Sequence, residues 1–465
     1  MAGATETFAR WVHGLAYEDI PAKAIANAKD QLLSILGAAF AGRHTEAGLA
    51  ITEAVRRWGD RPEATVVGAG YRTSMRSAGL VNSVNAQVLE FEDWVGVVHT
   101  GATVVPTALA AAEAVGAQTG RPASGRDLLV AQVAGNEIAA RVGAATMGGR
   151  GGGNAHAVHQ VEVPLVAGKL HGLDVVQLMD AVGGSCAQAQ FPAIISWTSH
   201  SKGYLTGWPV YNGLTAAAIA RHGFTGNHEI VEHPQGYCVE AQGLLHVDYL
   251  THGLGERWLL AEAFTNKPYP MCGFTMAPSD CLLDLVKEHD IQPEDIEEVV
   301  VRCPITFLIT GTWWNATPDL YDRIRDGRQT GWSWVPLLFD AYYPLAAGLV
   351  DREITPRQFT RERIFDPRIQ ALLPKIHLEH DPDLDAALLL GTGFGAEVTI
   401  SLRDGRRLTK ATKSHRGGPN NPIDAVEKFT VATRDCLDGS RRAAIVETVG
   451  HLEELRDVRQ LGALL

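Results

Sequence analysis

The stretch LLSILGAAFAG, residues 32–42, carries no charge, yet it prolongs a helical spacing set by Ile25, Ala28, Leu32, Leu33 and Leu36. A helix without a charged face has to be buried on all sides. Small residues recur in the other helical stretches as well: Gly135, Gly183, Gly184, Ala216, Ala217 and Ala218, beside Gly37, Ala38 and Ala39 here. Small side chains let helices approach closely. The chain is therefore expected to be mainly α, with a tightly packed helical domain at its heart.

The chain has 465 residues, enough for two domains, since a single core rarely grows beyond roughly 250–300 residues. Helical spacing dominates residues 1–265: after the helix opened by Ile20 and Pro21, further helices are expected at 46–58, 124–145, 161–171, 174–190 and 210–222. The pattern changes near Asn266. A helix at 278–288 is followed by strands at 296–302, 376–380 and 396–402, and Asp404-Gly405 signals a hairpin into 407–410. Helical spacing returns at 424–433 and 440–455. These readings predict one large all-helical domain made from residues 1–265 and 415–465, and a smaller α+β lid domain from 266–414.

The net charge is −12, with no Lys/Arg run, so nucleic acid is not an expected partner. The longest apolar stretches are far short of a membrane span, and the N-terminus lacks the layout of a signal peptide. Six cysteines show no CxxC and no framework spacing. The expectation is a reduced, cytoplasmic, enzyme-sized protein.

The chemistry gathers in residues 79–120. They read as helix, loop, helix: the first helix ending near Trp94, the second beginning near Pro106, with His99 in the apolar loop between. On a helix Glu90 and Asp93 share a face, and carboxylates at a helix C-terminus oppose its dipole at about 0.3–1 kcal/mol each. A local cost of that kind marks a functional site more often than an indifferent surface. A carboxylate within reach would orient His99 and tune it.

Other candidates weigh less on their own. His156 and His159 form HAVH after the glycine segment GGRGGGN, but no HExxH and no third ligand accompany them, so no metal is expected. Lys202 stands in SHSKGYLTG and Lys267 in NKPYPMC, with Cys272 five residues on. GGSCA is not a nucleophile elbow, GGRGGGN is not a phosphate loop, and no dinucleotide fingerprint follows a strand. No cofactor is expected.

Taken in order, DQLLSILGAAFAG, NAQVLEFEDW with HTGATVVPTALAAAE, VAGNEIAARVG, VAGKLHGLD, KGYLTG with NGLTAAAIARHGFTG, and NKPYPMC resemble the MmgE/PrpD family over nearly the whole chain. The resemblance implies a helical domain plus lid, a homodimer, and no metal or organic cofactor. It implies a small-molecule substrate, carboxylate-bearing in the family, and a lyase of dehydratase or decarboxylase type working by proton transfer beside a carboxylate or carbonyl. An epimerase or other isomerase with two opposed proton carriers is the alternative it leaves; a metal-dependent hydrolase or a non-catalytic scaffold stands further off. Residue by residue, the family's acidic motif falls on Glu90 and Asp93, its following histidine on His99, its loop histidine on His156 or His159, and its lysines on Lys202, with Gly207 at the expected spacing, and Lys267. His99 would be the base or acid, and the lysines would stabilise an enolate-like charge, burial lowering a lysine's pKa. The chain departs from the family where Glu90 replaces Asp, Trp94 a small hydroxyl residue, Thr100-Gly101 the Pro-Ser after the histidine, Cys272 a histidine, and Met276 another. Glu90, Trp94 and Cys272 are thus expected to contact substrate. Trp94 fills space that a hydrated polycarboxylate needs, which points away from methylcitrate and aconitate.

Overall fold

A computed structural model describes residues 3–96, 98–147, 158–188, 194–241, 243–244, 246–389 and 394–465. The uncharged stretch behaves as its composition requires. It forms the C-terminal half of α2, Ala22–Arg43, following α1, Ala4–Gly14, and every residue from Leu32 to Phe40 is buried. Burial on all sides is met by close approach: a Cβ on Gly37 would stand 3.1 Å from the Cβ of Ala432, on a helix at Ala425–Thr433 near the other end of the chain.

The helical elements continue with α3, Glu46–Arg56; a short antiparallel pair β1, Ala64–Val66, and β2, Tyr71–Thr73; and α4, Met75–Gln87. Then come β3, Asp93–Val95; α5, Gly101–Thr119; and α6, Gly125–Thr146, whose capping box joins Ser124 to Asp127. α7 is Glu162–Leu170, α8 Val175–Cys186, α9 Tyr204–Ala220 and α10 the single turn Leu259–Glu262. α9 lies against α4 through Gly207, where an added Cβ would meet Val84 at 2.6 Å and Leu80 at 3.0 Å. The molecule is mainly helical, as its pattern of small residues predicts.

Beyond β4, Phe264–Asn266, and α11, Met276–Glu288, runs a mixed four-stranded sheet. Its strands are β5, Ile296–Cys303; β6, Ile376–His380; β7, Ala396–Leu402; and β8, Arg407–Thr412, in the order β6-β5-β7-β8. β5 runs parallel to β6 and antiparallel to β7, with Val299 opposite both Ile376 and Ile400. Gly405, at φ 88°, makes the turn from β7 to β8 that Asp-Gly announces.

Two hydrophobic cores result. One joins α1, α2 and α4–α9 to Phe429, Ile445, Val449 and Leu461, so both chain ends share it. The other is built from residues 269–402, with Ala38, Ala47, Val88, Leu89, Phe91 and Ala432 added.

The central stretch departs from the helix–loop–helix reading. α4 stops at Gln87, seven residues before Trp94, and Glu90 takes a left-handed backbone at φ 52°. The chain then becomes extended because Asp93, Trp94 and Val95 pair with Asn266, Thr265 and Phe264 in a two-stranded antiparallel ribbon. A tight turn, in which Val95 and Val98 exchange backbone hydrogen bonds at 3.0 and 3.2 Å, delivers His99. α5 starts directly after it, so Pro106 lies inside the helix instead of opening it.

Candidate active site

The ribbon brings Lys267, next after β4, against the acidic segment that precedes β3. Its ammonium donates to Glu90 Oε2 at 2.7 Å, to Glu92 Oε1 at 2.8 Å and to the Glu90 carbonyl at 3.3 Å. All three donors of the ammonium are then used. Lys202 arrives from another direction, on the single turn His200–Gly203 that leads into α9, and forms an ion pair with Glu90 Oε1. That contact is close but lacks hydrogen-bond geometry, so the buried Lys202 ammonium has no angle-satisfied acceptor. Glu90 Oε1 also accepts from Gln87 Nε2 at 3.0 Å. One carboxylate therefore sits between two lysines that are 65 residues apart in sequence.

His99 stands beside them. Its Nδ1 is hydrogen-bonded to Glu92 Oε1 and lies 3.9 Å from Glu90 Oε2, while its Nε2 accepts from the indole N–H of Trp94 at 2.9 Å. An Nε2 that accepts places the ring proton on Nδ1, facing the carboxylate. Glu90, Glu92 and Lys267 are fully buried, Lys202 is 1% exposed and His99 4%.

Burial sets the electrostatics. It lowers the pKa of His99 well below the ordinary histidine value, and the Lys267 charge lowers it further. Burial also raises Glu92 above the usual carboxylate range, with Glu90 adding to the effect. For Lys267, burial opposes the charged form, but Glu90 and Glu92 outweigh it and hold the ammonium above the ordinary lysine value. The expectation that burial lowers a site lysine is therefore reversed at Lys267, because two carboxylates accompany it.

The other predicted residues divide. Asp93 is buried close by but turns away from His99: its Oδ1 accepts from Gln31 Nε2 at 3.2 Å and from the Gly101 N–H at 3.1 Å. The carboxylate that orients His99 is Glu92, not Asp93. Trp94 is in the cluster, its ring lying over Lys267 at 5.3 Å and tilted on Phe274 at 5.3 Å. Gly273 makes room for it, since a Cβ there would stand 2.2 Å from the indole. Cys272, one residue before, is buried, with its thiol pushed up to about 12 by burial. His159 is buried, its Nδ1 2.6 Å from Glu162 Oε1 and 3.2 Å from Thr103 Oγ1 of α5. It is near enough that its charge would lower His99 further. His156 lies outside the described residues.

Two members of the site escape the motif reading. Glu92 would have paired with Glu90 had residues 90–95 been read as extended, where alternate residues share a face. Lys428, buried on the helix Ala425–Thr433, donates to Ser34 Oγ at 2.6 Å, to the Glu92 carbonyl at 2.8 Å and to Asn266 Oδ1 at 2.8 Å. Burial lowers Lys428 to about 7 and raises Asp93 to about 7, each shift opposed in part by the other group's charge. No local signal marks Lys428; only the return of the chain end to α2 brings it in.

Glu90, Glu92 and His99 each present a ligand atom within 4.8 Å of the others, a set that could hold a cation. Here the Lys267 ammonium bridges the two carboxylates. A cleft of about 1160 Å³ opens nearby between His44, Glu46, Ser201, Arg325 and Trp334, but none of the clustered side chains lines it. In the buried cluster, paired charges meet an imidazole whose charged form burial disfavours.

The chain is mainly helical and holds a buried cluster of acids, lysines and a histidine. The MmgE/PrpD N-terminal domain matches residues 6–242 and the C-terminal domain residues 335–454, and the chain belongs to the MmgE/PrpD family. It is similar to cis-aconitate decarboxylases: 25% identical to that of Mus musculus over 99% of this chain and 93% of the relative. Identity is 26% to that of Homo sapiens, over 99% and 94%, and 24% to that of Aspergillus terreus, over 100% and 96%. The chain is an enzyme of the lyase type. No helix among the described residues is long and apolar enough to cross a membrane.

Proposed function

We propose that the protein is a cofactor-independent lyase, of dehydratase or decarboxylase type, that moves a proton beside a carboxylate or carbonyl of a small polar metabolite. One observation carries the reading: a neutral His99, oriented by Glu92, shares a closed site with two ammonium groups held on Glu90. Taking a proton next to a carbonyl leaves an enolate-like charge, and cations already in place stabilise it without reorganising water. His99 Nε2 is the atom that takes or returns the proton, and Trp94 must turn its N–H aside for that. Lys202 meets the developing charge first, because its donors are the least committed. The similarity to cis-aconitate decarboxylases supports the elimination or decarboxylation class over net epimerisation.

We assign the two cores to a helical domain, residues 1–265 and 415–465, and a lid, residues 266–414. The site draws Glu90, His99 and Lys202 from one and Lys267 from the first residues of the other. His156 or His159 is placed as the second proton carrier. A cytoplasmic homodimer is the state we expect.

The test is turnover of a compound identified by ligand-induced thermal stabilisation. His99→Ala should lower kcat at least 100-fold, measured on variant protein shown to be folded. Near-normal turnover removes His99 from the mechanism.

A further inference from the structure

His99 has a counterpart. His159 is also bonded through Nδ1 to a glutamate: Glu162 Oε1 stands 2.6 Å away, and both side chains are fully buried. Glu162 opens α7, three residues after the histidine. Thr103 ties this pair to the first turn of α5. Its hydroxyl lies 3.0 Å from Glu162 Oε1, 3.2 Å from His159 Nδ1 and 3.1 Å from the Thr100 carbonyl. Thr100 follows His99 directly, so the first turn of α5 links the two histidine–glutamate pairs.

The pairs differ in what else touches the carboxylate. Glu92 divides its Oε1 between His99 and the Lys267 ammonium. Among the described residues, Glu162 has no lysine or arginine. His159 is its one ion-pair partner, and its buried Oε2 has no hydrogen-bond partner. A carboxylate taken out of water is matched by a positive charge or takes up a proton itself. For Glu162 the imidazole supplies that match, so a proton stays with this pair. At His99 the lysines already answer the carboxylates, and burial with the Lys267 charge drives the proton off. Two like groups whose surroundings differ in this way divide the roles of acid and base between them.

The remaining neighbours do not alter the contrast. Cys186 of α8 has its thiol kept protonated by burial, with Cys238 and Glu162 adding to the effect. Lys169 stands at the other end of α7 and donates to the His13 and Leu15 carbonyls. α6 and α9 press on α7 at Gly135 and Gly213, where an added Cβ would meet Val166 and Val163 at 2.4 Å.

We infer that Glu162 is a positioning residue that holds His159 in its proton-bearing form, and that His159 is the acid complementing the base at His99. The inference rests on the proposed lyase reading and assigns its two proton carriers. In a dehydration, His99 Nε2 takes the proton beside the carbonyl and the electron pair of that C–H bond becomes the new double bond. The C–O bond breaks, and the hydroxyl leaves as water with the proton of His159 Nε2, the nitrogen that Glu162 does not hold. In a decarboxylation the carbon–carboxylate bond breaks, carbon dioxide leaves, and the carbanion takes the His159 proton. Solvent then restores the rings.

The experiment is NMR of the whole protein labelled in its histidine rings and titrated without substrate. Signals are assigned from those missing in His99→Gln and in His159→Gln. As pH is lowered, His159 should take its second ring proton about one pH unit or more before His99 does. Glu162→Gln, which keeps an acceptor for Nδ1–H but not the charge, should abolish that lead. With a compound that wild type converts, the same variant should bring the alkaline limb of kcat/KM down by about one pH unit and leave the acid limb, which reports His99, in place. His99 protonating first, or a folded Glu162→Gln in which the His159 titration or the alkaline limb is unmoved, overturns the inference. If Glu162→Gln does not fold, the order of protonation in wild type decides alone. The titration needs no substrate, so its failure is separate from that of the lyase reading, which falls if His99→Ala leaves turnover near normal.

Discussion

Trp94 and His99 form one hydrogen-bonded pair: the indole N–H is donated to Nε2 at 2.9 Å, on the ring face opposite the bond to Glu92. A donor on Nε2 favours the neutral imidazole. Trp94→Phe keeps a ring over Gly273 and removes the donor. The acid limb of the pH profile of kcat/KM should then move up by about half to one pH unit, the worth of a net hydrogen bond of roughly 1 kcal/mol. An unmoved profile would show that Trp94 only fills space.

The two site lysines should separate in their effects. Lys267 is wrapped by three acceptors, so Lys267→Met leaves Glu92 buried without its cation and Glu90 with Lys202 alone, and should cost about 3–5 kcal/mol of stability. Lys202 makes one ion pair, so Lys202→Met should lower kcat by 100-fold or more while the melting temperature falls much less. Denaturant titration beside steady-state kinetics distinguishes the two; equal loss of stability in both would contradict the asymmetry.

Why the sequence points to Glu90, Trp94, His99, Lys202 and Lys267, which the structure brings together, but not to Glu92 and Lys428, follows from distance along the chain. Lys202 and Lys267 stand in recognisable motifs, and the helices carrying the site have the spacing and small residues that make helices legible. The segment 88–95 does not. Judged alone, Glu90 and Asp93 suit a helix end; what makes the segment extended is β4, some 170 residues away, with Asn266 opposite Asp93. Long-range pairing of that kind leaves no local trace, and it is why nothing in the sequence singles out Glu92, one residue from Asp93. Lys428 is the same case, brought to Glu92 from 336 residues away. The sheet strands, by contrast, announce themselves through alternation and the Asp404-Gly405 turn.

Asp93 gives a stability prediction with a definite sign. Burial raises its folded value to about 7 from an ordinary 3.8, so the folded state holds the proton more tightly. Its stabilising contribution is complete below the unfolded pKa and is lost as pH rises through 7. Asp93→Asn has no such dependence. The unfolding free energy of the variant relative to wild type, read by chemical denaturation, should therefore rise between pH 4 and pH 7, by up to about 1.4 kcal/mol per pH unit. A constant difference across that window would contradict the assignment.

Lys428 ties the chain end to α2, to the segment entering β3 and to β4 through Ser34, the Glu92 carbonyl and Asn266. Lys428→Met keeps the stem and removes the donors, leaving three buried acceptors unpaired. The expected loss is about 3 kcal/mol or more. Because the group is lowered to about 7 from 10.5, its favourable contribution is full above the unfolded value and fades as pH falls through 7. The loss caused by the variant should thus be larger at pH 9 than at pH 6, read by chemical denaturation at both.

The most direct test follows the proton itself. With a compound that the wild-type protein converts, the reaction is run in deuterium oxide, and NMR follows label entering the carbon beside the carbonyl or carboxylate. Incorporation should occur with wild type and fall at least 100-fold in His99→Gln, a variant that retains a polar side chain but cannot carry the proton. Label entering at the wild-type rate in that variant would contradict the account.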